Sequence, residues 1–256
     1  MYVQAGGGRG VPGSFAERLA IAESALVTAP EGSDGAADAL AACFGVAGLA
    51  AWLPLEWRAQ LREGETVLVL AASGAVGKIA VQAAKLLGAG RVVAAARDRE
   101  GLERARELGA DATVDLSDGA GADELAESIR SAAGGDGVDV TLDPLCEPMV
   151  AAAKASASGA RIVSIGQSAG PEATLASATV RGSTLSILGY PNFDVPADRA
   201  LAHRRMVGHA AAGRLTVDHD VRGARQGRRG VGAPAGLSRN RSVPGAWAVA
   251  CRILCV

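Results

Sequence analysis

Between residues 64 and 190, the chain alternates short apolar runs rich in β-branched residues with segments of helical periodicity. The run at residues 66–71 is nearly all apolar, as expected of a strand that helices cover on both faces. Beyond a glycine-containing turn, Val76, Ile79, Ala83 and Leu87 recur at helical spacing. An alternation of this kind predicts βαβ units.

The same periodicities extend through the rest of this region. Glycines end the predicted helices at 102–108 and 124–133, and another helix is expected between residues 142 and 161. Further strands are predicted at residues 91–96, 112–115, 138–142, 161–165 and 183–188. Right-handed crossovers would join these strands into one doubly wound parallel sheet, which is an α/β Rossmann fold.

The parts of the chain that flank this region have a different pattern. Residues 1–45 begin with a glycine-rich stretch and hold too little apolar sequence for a core of their own, so we interpret them as the remnant of a second domain. The Rossmann domain is then predicted at residues 46–190. Residues 191–221 would return the chain to the second domain.

An abrupt change in composition sets residues 222–256 apart as an atypical tail rich in Arg, Gly and Pro. All 27 acidic residues precede it, whereas its own charged residues are Arg222, Arg225, Arg228, Arg229, Arg239, Arg241 and Arg252. Such a stretch is typical of a disordered nucleic-acid-binding arm. It is also what out-of-frame translation of a GC-rich gene would produce. We favour the second interpretation, because residues 201–220 have the pattern of an ordinary helix and strand that stop midway.

Composition and charge narrow the class of protein. The net charge of −1 gives no overall attraction to nucleic acid or to an anionic membrane. We expect no membrane span, since no uninterrupted apolar run reaches roughly 18 residues, and the N-terminus lacks a secretory signal. The cysteines fit neither a disulfide framework nor a paired zinc site: Cys43, Cys146, Cys251 and Cys255. These observations predict a soluble protein of the reducing cytoplasm.

The turn after the first predicted strand carries the clearest chemical signal. It contains two glycines at the spacing of a dinucleotide-binding loop, in the sequence Ala72, Ser73, Gly74, Ala75, Val76 and Gly77. A strand precedes the turn and a helix follows it, which is the context that this motif requires. Gly74 would let the backbone approach a pyrophosphate, and Gly77 would let the helix pack on the strand. Ala72 stands where the first glycine is usual.

The end of the second strand indicates which dinucleotide would bind. About 20 residues past the loop, NAD-dependent enzymes carry an acid for the ribose 2′-hydroxyl, whereas a nearby arginine accommodates a 2′-phosphate. Ala96 falls at this position, followed by Arg97, Asp98 and Arg99. We therefore favour NADP(H) over NAD(H). The alternative is that both arginines are solvated and that Asp98 caps the next helix.

Three segments together carry a family resemblance. Residues 64–77, 82–85 and 107–111 resemble the medium-chain dehydrogenase/reductase superfamily, and in particular its quinone oxidoreductase-like members with a zinc-binding dehydrogenase C-terminal domain. Residues 46–52 resemble the start of that family's cofactor domain, and residues 13–17 resemble the end of its first catalytic stretch. The resemblance thus extends from about residue 2 to residue 221.

The resemblance implies a fold and an activity. It implies that residues 1–45 and 191–221 belong to an incomplete GroES-like catalytic domain, and that the protein transfers hydride between NADPH and a small carbonyl, alcohol or quinone-type substrate. It also implies a homodimer joined through the strand near residues 183–188. By the same resemblance, Gly166, Gln167 and Ser168 would pass close to the nicotinamide, and Asp143 would line the cofactor cleft.

The residues that could perform metal or acid–base chemistry are few. No Gly-His-Glu zinc motif is present, and Cys43 lies in an Ala-rich helical context that is more typical of a core residue. His203 and His209 fall on a predicted surface helix, His219 lies beyond it, and Tyr190 is interpreted as structural. We therefore name no catalytic residue and no metal ligand. The prediction is a zinc-independent NADPH-dependent reductase of quinones or activated carbonyls and enones. The alternatives are a non-catalytic NADP(H)-binding fragment, a zinc-dependent alcohol dehydrogenase relative and, least favoured, a nucleic-acid-binding protein.

Overall fold

A six-stranded parallel sheet forms the centre of the molecule, in the order β5-β4-β3-β6-β7-β8. Its strands are β3 (Thr66–Leu70), β4 (Arg91–Ala96), β5 (Ala112–Asp115), β6 (Val138–Asp143), β7 (Ser156–Ser164) and β8 (Ser186–Gly189). The computed structural model describes residues 2–3, 26–27, 35–117, 119–191, 198–223 and 247–251. The predicted α/β Rossmann fold is confirmed, and β4 and β5 have the predicted bounds.

Helices cover both faces of the sheet. They are α3 (Ala75–Leu86), α4 (Arg99–Glu107), α5 (Ala122–Ala133), α6 (Met149–Lys154), α7 (Ser177–Gly182) and α8 (Arg199–Ala211). Alternate residues of β3 point to opposite faces of the sheet and belong to two separate cores. Val67 and Val69 lie in the core with α3, α4 and α8, whereas Leu68 and Leu70 lie in the core with α5 and α6. This is the two-sided burial that the continuous apolar runs predicted. The short helix α7 was not predicted.

A further helical segment runs from Gly35 to Arg58 on the same face as α3. It consists of α1 (Gly35–Cys43) and α2 (Leu49–Leu53), each followed by one π-helical turn, at Phe44–Gly48 and Pro54–Arg58. Pro54 has no N–H to donate to the preceding turn, which accounts for an irregularity at that point.

Its part Ala39–Arg58 is long and apolar enough to cross a membrane, with a mean hydropathy of 1.6 over its most apolar 18 residues. The expectation of no membrane span rested on uninterrupted apolar runs alone, and it stays a prediction. However, 78% of these most apolar 18 residues are buried inside the protein, so the segment is a core helix of this fold. The helix α8 lies at the surface as expected, with Leu201, Arg204 and Arg205 exposed, but His203 belongs to its buried face, where Ala202, His203 and Met206 pack against this segment.

Two short antiparallel strand pairs lie outside the main sheet. β1 (Tyr2–Val3) pairs with β2 (Leu26–Val27), and β9 (His219–Gly223) pairs with β10 (Trp247–Cys251). The strand β10 belongs to the Arg-rich tail, most of which lies outside the described residues. The domain boundaries drawn from the sequence stay predictions.

The order of the strands locates the place where a ligand would bind. The chain moves outward from β3 through β4 to β5, and then crosses back to β6 on the other side of β3. In open α/β sheets, ligands bind beyond the carboxyl ends of the strands at such a switch point. The loops that follow β3, β4, β6 and β7 therefore surround the candidate site.

Candidate functional site

The loop after β3 makes a tight turn into α3. Ala71 adopts a left-handed conformation with φ +54°, and the N–H of Gly74 donates to its carbonyl oxygen at 3.0 Å. Ala72 is fully buried, and its N–H donates to Ala95 O in β4 at 3.0 Å. In the usual form of this loop, a glycine holds the position of Ala72. Here the left-handed conformation is adopted by Ala71, and Ala72 has a side chain that is buried.

The start of α3 lies very close to this turn. A Cβ added to Gly77 would be 2.3 Å from Ala71 O and 2.6 Å from Ala72 Cα, so no side chain fits there. Gly74 is the N-cap residue, and no side chain caps the helix within the described residues. The first N–H groups of α3, from Ala75 and Val76 onward, are therefore available to an anion. This geometry fits the pyrophosphate of a dinucleotide.

The residues after β4 form the neighbouring edge of the site. Ala96 is buried, whereas Arg97 is exposed and has no ion pair among the described residues. Asp98 caps α4, and its Oδ2 accepts a hydrogen bond from the N–H of Gly101 at 3.1 Å. Arg99 reaches Asp115 at 3.2 Å. Of the charges predicted near a 2′-phosphate, Arg97 thus has no charged protein partner in the described part of the chain.

A second close approach joins α4 to the phosphate loop. A Cβ on Gly101 would be 2.2 Å from the Cβ of Ser73, so this glycine is required where the helix meets the loop. Sequence reasoning missed this residue, because its partner lies 28 positions earlier and only the folded chain brings them together.

A cavity of about 480 Å³ opens beside the loop, between α3, α4 and residues 216–219. Lys78 and Arg104 contact the carboxylate of Asp218 across it, at 3.1 and 2.9 Å. The hydrogen bond from Arg104, followed by the one from Lys78, lowers the pKa of Asp218 despite some burial. Gln82 also binds the backbone of Thr216, through a donated bond of 2.9 Å and an accepted bond of 2.8 Å. These contacts attach the segment before β9 to the phosphate-loop helix.

The loops after β6 and β7 form the other half of the site. Asp143 is fully buried at the end of β6, and Gly166, Gln167 and Ser168 follow the end of β7. The N–H of Ser168 donates to Pro144 O at 3.1 Å, so the two loops are bonded directly to each other. The structure therefore brings all the predicted cofactor residues to one edge of the sheet, on both sides of the switch point.

The candidate acid–base and metal residues lie elsewhere. Tyr190 is buried, donates a hydrogen bond to Leu49 O at 3.2 Å, and has a pKa raised to about 12 by burial. His203 is buried with Nε2 2.9 Å from Ala41 O, and Cys43 is buried in α1. Across the described ranges, no three His, Cys, Asp or Glu side chains form a group that could hold a metal ion.

The fold is that of a Rossmann-type dehydrogenase domain, and the site lies where such domains bind ligands. The family model described as zinc-binding dehydrogenase matches residues 75–201. The chain belongs to the medium-chain dehydrogenase/reductase superfamily and is quinone oxidoreductase-like.

Two curated relatives illustrate the similarity. A quinone oxidoreductase-like protein 2 homolog from Nematostella vectensis is 35% identical over 140 residues, which cover 50% of this chain and 36% of that protein. A mycocerosic acid synthase-like polyketide synthase of Mycobacterium tuberculosis is 32% identical over 135 residues, which cover 52% of this chain and 6% of that protein. This chain therefore aligns with only a minor part of each relative's length.

Solved structures agree with this assignment. The quinone oxidoreductase from Thermus thermophilus, described together with its complex with NADPH, matches with a TM-score of 0.59 and 34% identity, covering 79% of this chain and 60% of that one. An NAD-dependent alcohol dehydrogenase matches with a TM-score of 0.68 and 33% identity, covering 80% of this chain and 57% of that one. The protein is thus related to nicotinamide-dependent oxidoreductases.

Proposed function

We propose that the protein is an NADPH-dependent, zinc-independent reductase of quinones or of activated carbonyls and enones. The observation that carries the proposal is the turn from Ala71 to Gly77, where an uncapped helix N-terminus and two glycines fit a pyrophosphate at the switch point of the sheet. Its similarity to a quinone oxidoreductase that is described with NADPH supports the choice of reaction and cofactor.

The roles of the residues follow from their places around the switch point. Backbone N–H groups of the segment Ala72–Gly77 would bind the pyrophosphate, and Ala96 with Arg97 would face the 2′-phosphate of the adenosine ribose. The loop Gly166–Ser168 would support the nicotinamide half. When bound, NADPH supplies the hydride, and the protein supplies orientation and an environment that excludes water.

The choice of NADPH rests on Arg97. Arg97 is exposed directly after β4, and a phosphate would give its guanidinium a charge-assisted partner. Asp98 is the acid nearest to this position, but its Oδ2 already accepts a hydrogen bond from the helix that it caps. NADH is the alternative cofactor, as for the NAD-dependent alcohol dehydrogenase of similar structure.

A direct test combines binding with turnover. Saturating NADPH is expected to raise the melting temperature by about 5 °C, and NADH by less, because a ligand that binds the native state stabilises it. Oxidation of NADPH is then followed with a panel of quinones and enones, with and without a chelator. Absence of a thermal shift with either nucleotide would refute the proposal, and loss of turnover with the chelator would refute zinc independence.

A non-catalytic NADP(H)-binding module is the second candidate function. One observation favours it, since Tyr190 and His203 are both buried and hydrogen-bonded to the backbone rather than open to a substrate. Binding of NADPH without turnover across the panel would support this candidate. Turnover of any of these substrates would exclude it.

Replacing Arg97 tests the cofactor preference. We expect Arg97→Ala to weaken NADPH binding about tenfold and to leave NADH binding unchanged, because only NADPH carries the 2′-phosphate. Arg99→Ala is the matched control, as Arg99 is a neighbouring exposed arginine that pairs with Asp115. Titration with NADPH and with NADH measures the ratio of the two affinities. If this ratio were the same in Arg97→Ala as in the wild type, the 2′-phosphate would bind elsewhere.

The remaining expectations about partners belong to this proposal. The edge strand β8 offers a route to a homodimer, since Ile187 is 43% exposed and β8 ends the sheet. Analytical ultracentrifugation would measure this association. We also propose that the protein acts on small molecules in the cytoplasm and binds neither membrane nor nucleic acid.

A further inference from the structure

Asp143 lies at the centre of a hydrogen-bonded network that joins the loops after β6 and β7. Its carboxylate is fully buried, so it lies beneath the site and not in its wall. Oδ1 accepts hydrogen bonds from the N–H groups of Leu145 and Cys146, each at 2.9 Å. The sequence-based expectation that Asp143 lines the cleft is therefore corrected, because its side chain contacts the loop and is closed to a ligand.

The conformation of this loop depends on those two hydrogen bonds. Cys146 has a φ of +75°, a left-handed conformation that residues with a side chain rarely adopt. The backbone N–H of Cys146 donates a hydrogen bond to Asp143 Oδ1, and this bond stabilises the left-handed conformation. The second oxygen, Oδ2, is buried without a hydrogen-bond partner in the described part of the chain, and burial raises the pKa of Asp143 despite the two backbone hydrogen bonds.

Hydrogen bonds connect the first loop, which follows β6, to the second loop, which follows β7. Pro144 O accepts hydrogen bonds from the N–H and the Oγ of Ser168, each at 3.1 Å. Leu145 O accepts one from the N–H of Ala169 at 3.0 Å. Gly166 fits directly against the first loop, because an added Cβ would be 2.8 Å from Pro144 O. A shift of residues 144–145 would therefore move residues 166–169.

We propose that Asp143 is a positioning residue for the nicotinamide half of the cofactor, acting through Pro144 and Leu145 on the loop Gly166–Ser168. This inference rests on the proposed function. The strand order separates the two halves of the cofactor: Arg97 follows β4 on one side of β3, and Asp143 and Gly166 follow β6 and β7 on the other. Asp143 therefore affects the nicotinamide half and leaves the adenosine half unchanged.

The test compares NADPH with 2′-phospho-ADP-ribose, which lacks the nicotinamide. We expect Asp143→Ala to weaken NADPH binding about tenfold, as a shifted support loop would, and to change binding of the fragment by less than about twofold. Asp143→Asn retains an acceptor for the two N–H groups and is expected to restore most of the NADPH affinity. Isothermal titration calorimetry with both ligands gives the ratio of the two affinities for each variant.

Asp139→Ala is the matched control. Asp139 lies on the same strand, and its Oδ2 also accepts a backbone hydrogen bond, from the N–H of Thr66 at 2.8 Å, but at the amino end of the sheet. We expect it to lower the melting temperature and to leave the ratio of the two affinities unchanged. If Asp143→Ala does not fold, Gly166→Ala tests the same coupling from the second loop and is expected to reduce NADPH affinity selectively.

The outcomes separate this inference from the proposed function. If the wild-type protein binds neither ligand, the proposed function fails and the inference fails with it. If the wild type binds NADPH more tightly than the fragment and both Asp143→Ala and Gly166→Ala keep that advantage, only the inference is overturned. It is also overturned if Asp143→Ala weakens both ligands equally, since this would be the effect of general destabilisation.

Discussion

Replacing Gly77 with alanine is expected to abolish detectable nucleotide binding and to destabilise the domain by about 2 kcal/mol. The new Cβ would meet Ala71 O at 2.3 Å and Ala72 Cα at 2.6 Å, and neither backbone atom can move without disturbing the turn. Helix α3 would have to separate from β3, and the N–H groups at its start would move away from the pyrophosphate. Urea denaturation and titration with NADPH measure the two effects.

Gly74→Ala is the matched variant in the same loop. Its added Cβ would lie 3.4 Å from Ala71 O, which is ordinary contact, so the stability of the domain should change by less than about 0.5 kcal/mol. Its Cβ would nevertheless stand where the backbone approaches the pyrophosphate, and nucleotide affinity should fall at least about tenfold. Normal affinity in either variant would contradict the assignment of this loop to the pyrophosphate.

The second large effect concerns an ion pair at the opposite end of the sheet. Arg161 in β7 contacts Glu65, just before β3, through two hydrogen bonds of 2.7 and 2.8 Å, and both side chains are about 15% exposed. Arg161 also donates to Ala59 O at 3.0 Å, which ties the end of the long helical segment to the sheet. Removing the charge of Glu65 or of Arg161 leaves the other charge largely buried and without its ion-pair partner.

We expect Glu65→Gln to lower the free energy of unfolding by about 2 kcal/mol near neutral pH. Burial alone would raise the pKa of Glu65, but hydrogen bonds from Arg161 and the backbone of Arg62 outweigh it and lower the pKa below 4.5. A lowered pKa stabilises the fold above pH 4.5, and this stabilisation is lost as the pH falls through the pKa of the folded state.

A pH series checks this prediction. The difference in stability between wild type and Glu65→Gln should be largest near pH 7 and should shrink as the pH falls below 4.5 and through the lowered pKa of the folded state, where the wild-type carboxyl becomes protonated. Glu63→Gln is the control, since Glu63 is exposed and only two residues away. A difference that stays constant with pH would show that the charge of Glu65 is not the source of the effect.

Where the chain has a strong local pattern, sequence reasoning located structure well. The strands β4 and β5 have the predicted bounds, because glycines and polar residues interrupt their apolar runs sharply. The bounds of β7 and β8 differ from the prediction, since β7 begins at Ser156 and β8 at Ser186. Both segments contain polar residues that strand periodicity alone does not assign, and pairing with a neighbouring strand decides where they begin.

Contacts between distant residues account for what the sequence did not predict. The close approach of Gly101 to Ser73, the bonds between Gln82 and Thr216, and the burial of His203 under the segment that contains Ala41 all join residues far apart in the chain. No local periodicity encodes such pairs. Gly101 directly precedes the helix predicted at residues 102–108 but lies inside the observed helix α4, where helix propensity disfavours glycine and the contact with Ser73 explains it.

The phosphate loop separates the two kinds of information. By itself, the sequence determined that a strand, a glycine-containing turn and a helix follow one another, because hydrophobic periodicity and glycine placement are local properties of the chain. Only the tertiary structure decided that Ala71 takes the left-handed conformation and that the buried carboxylate of Asp143 accepts hydrogen bonds from the backbone of Leu145 and Cys146. The reason is physical, since both depend on which backbone groups lie within hydrogen-bonding distance once the parallel strands are paired.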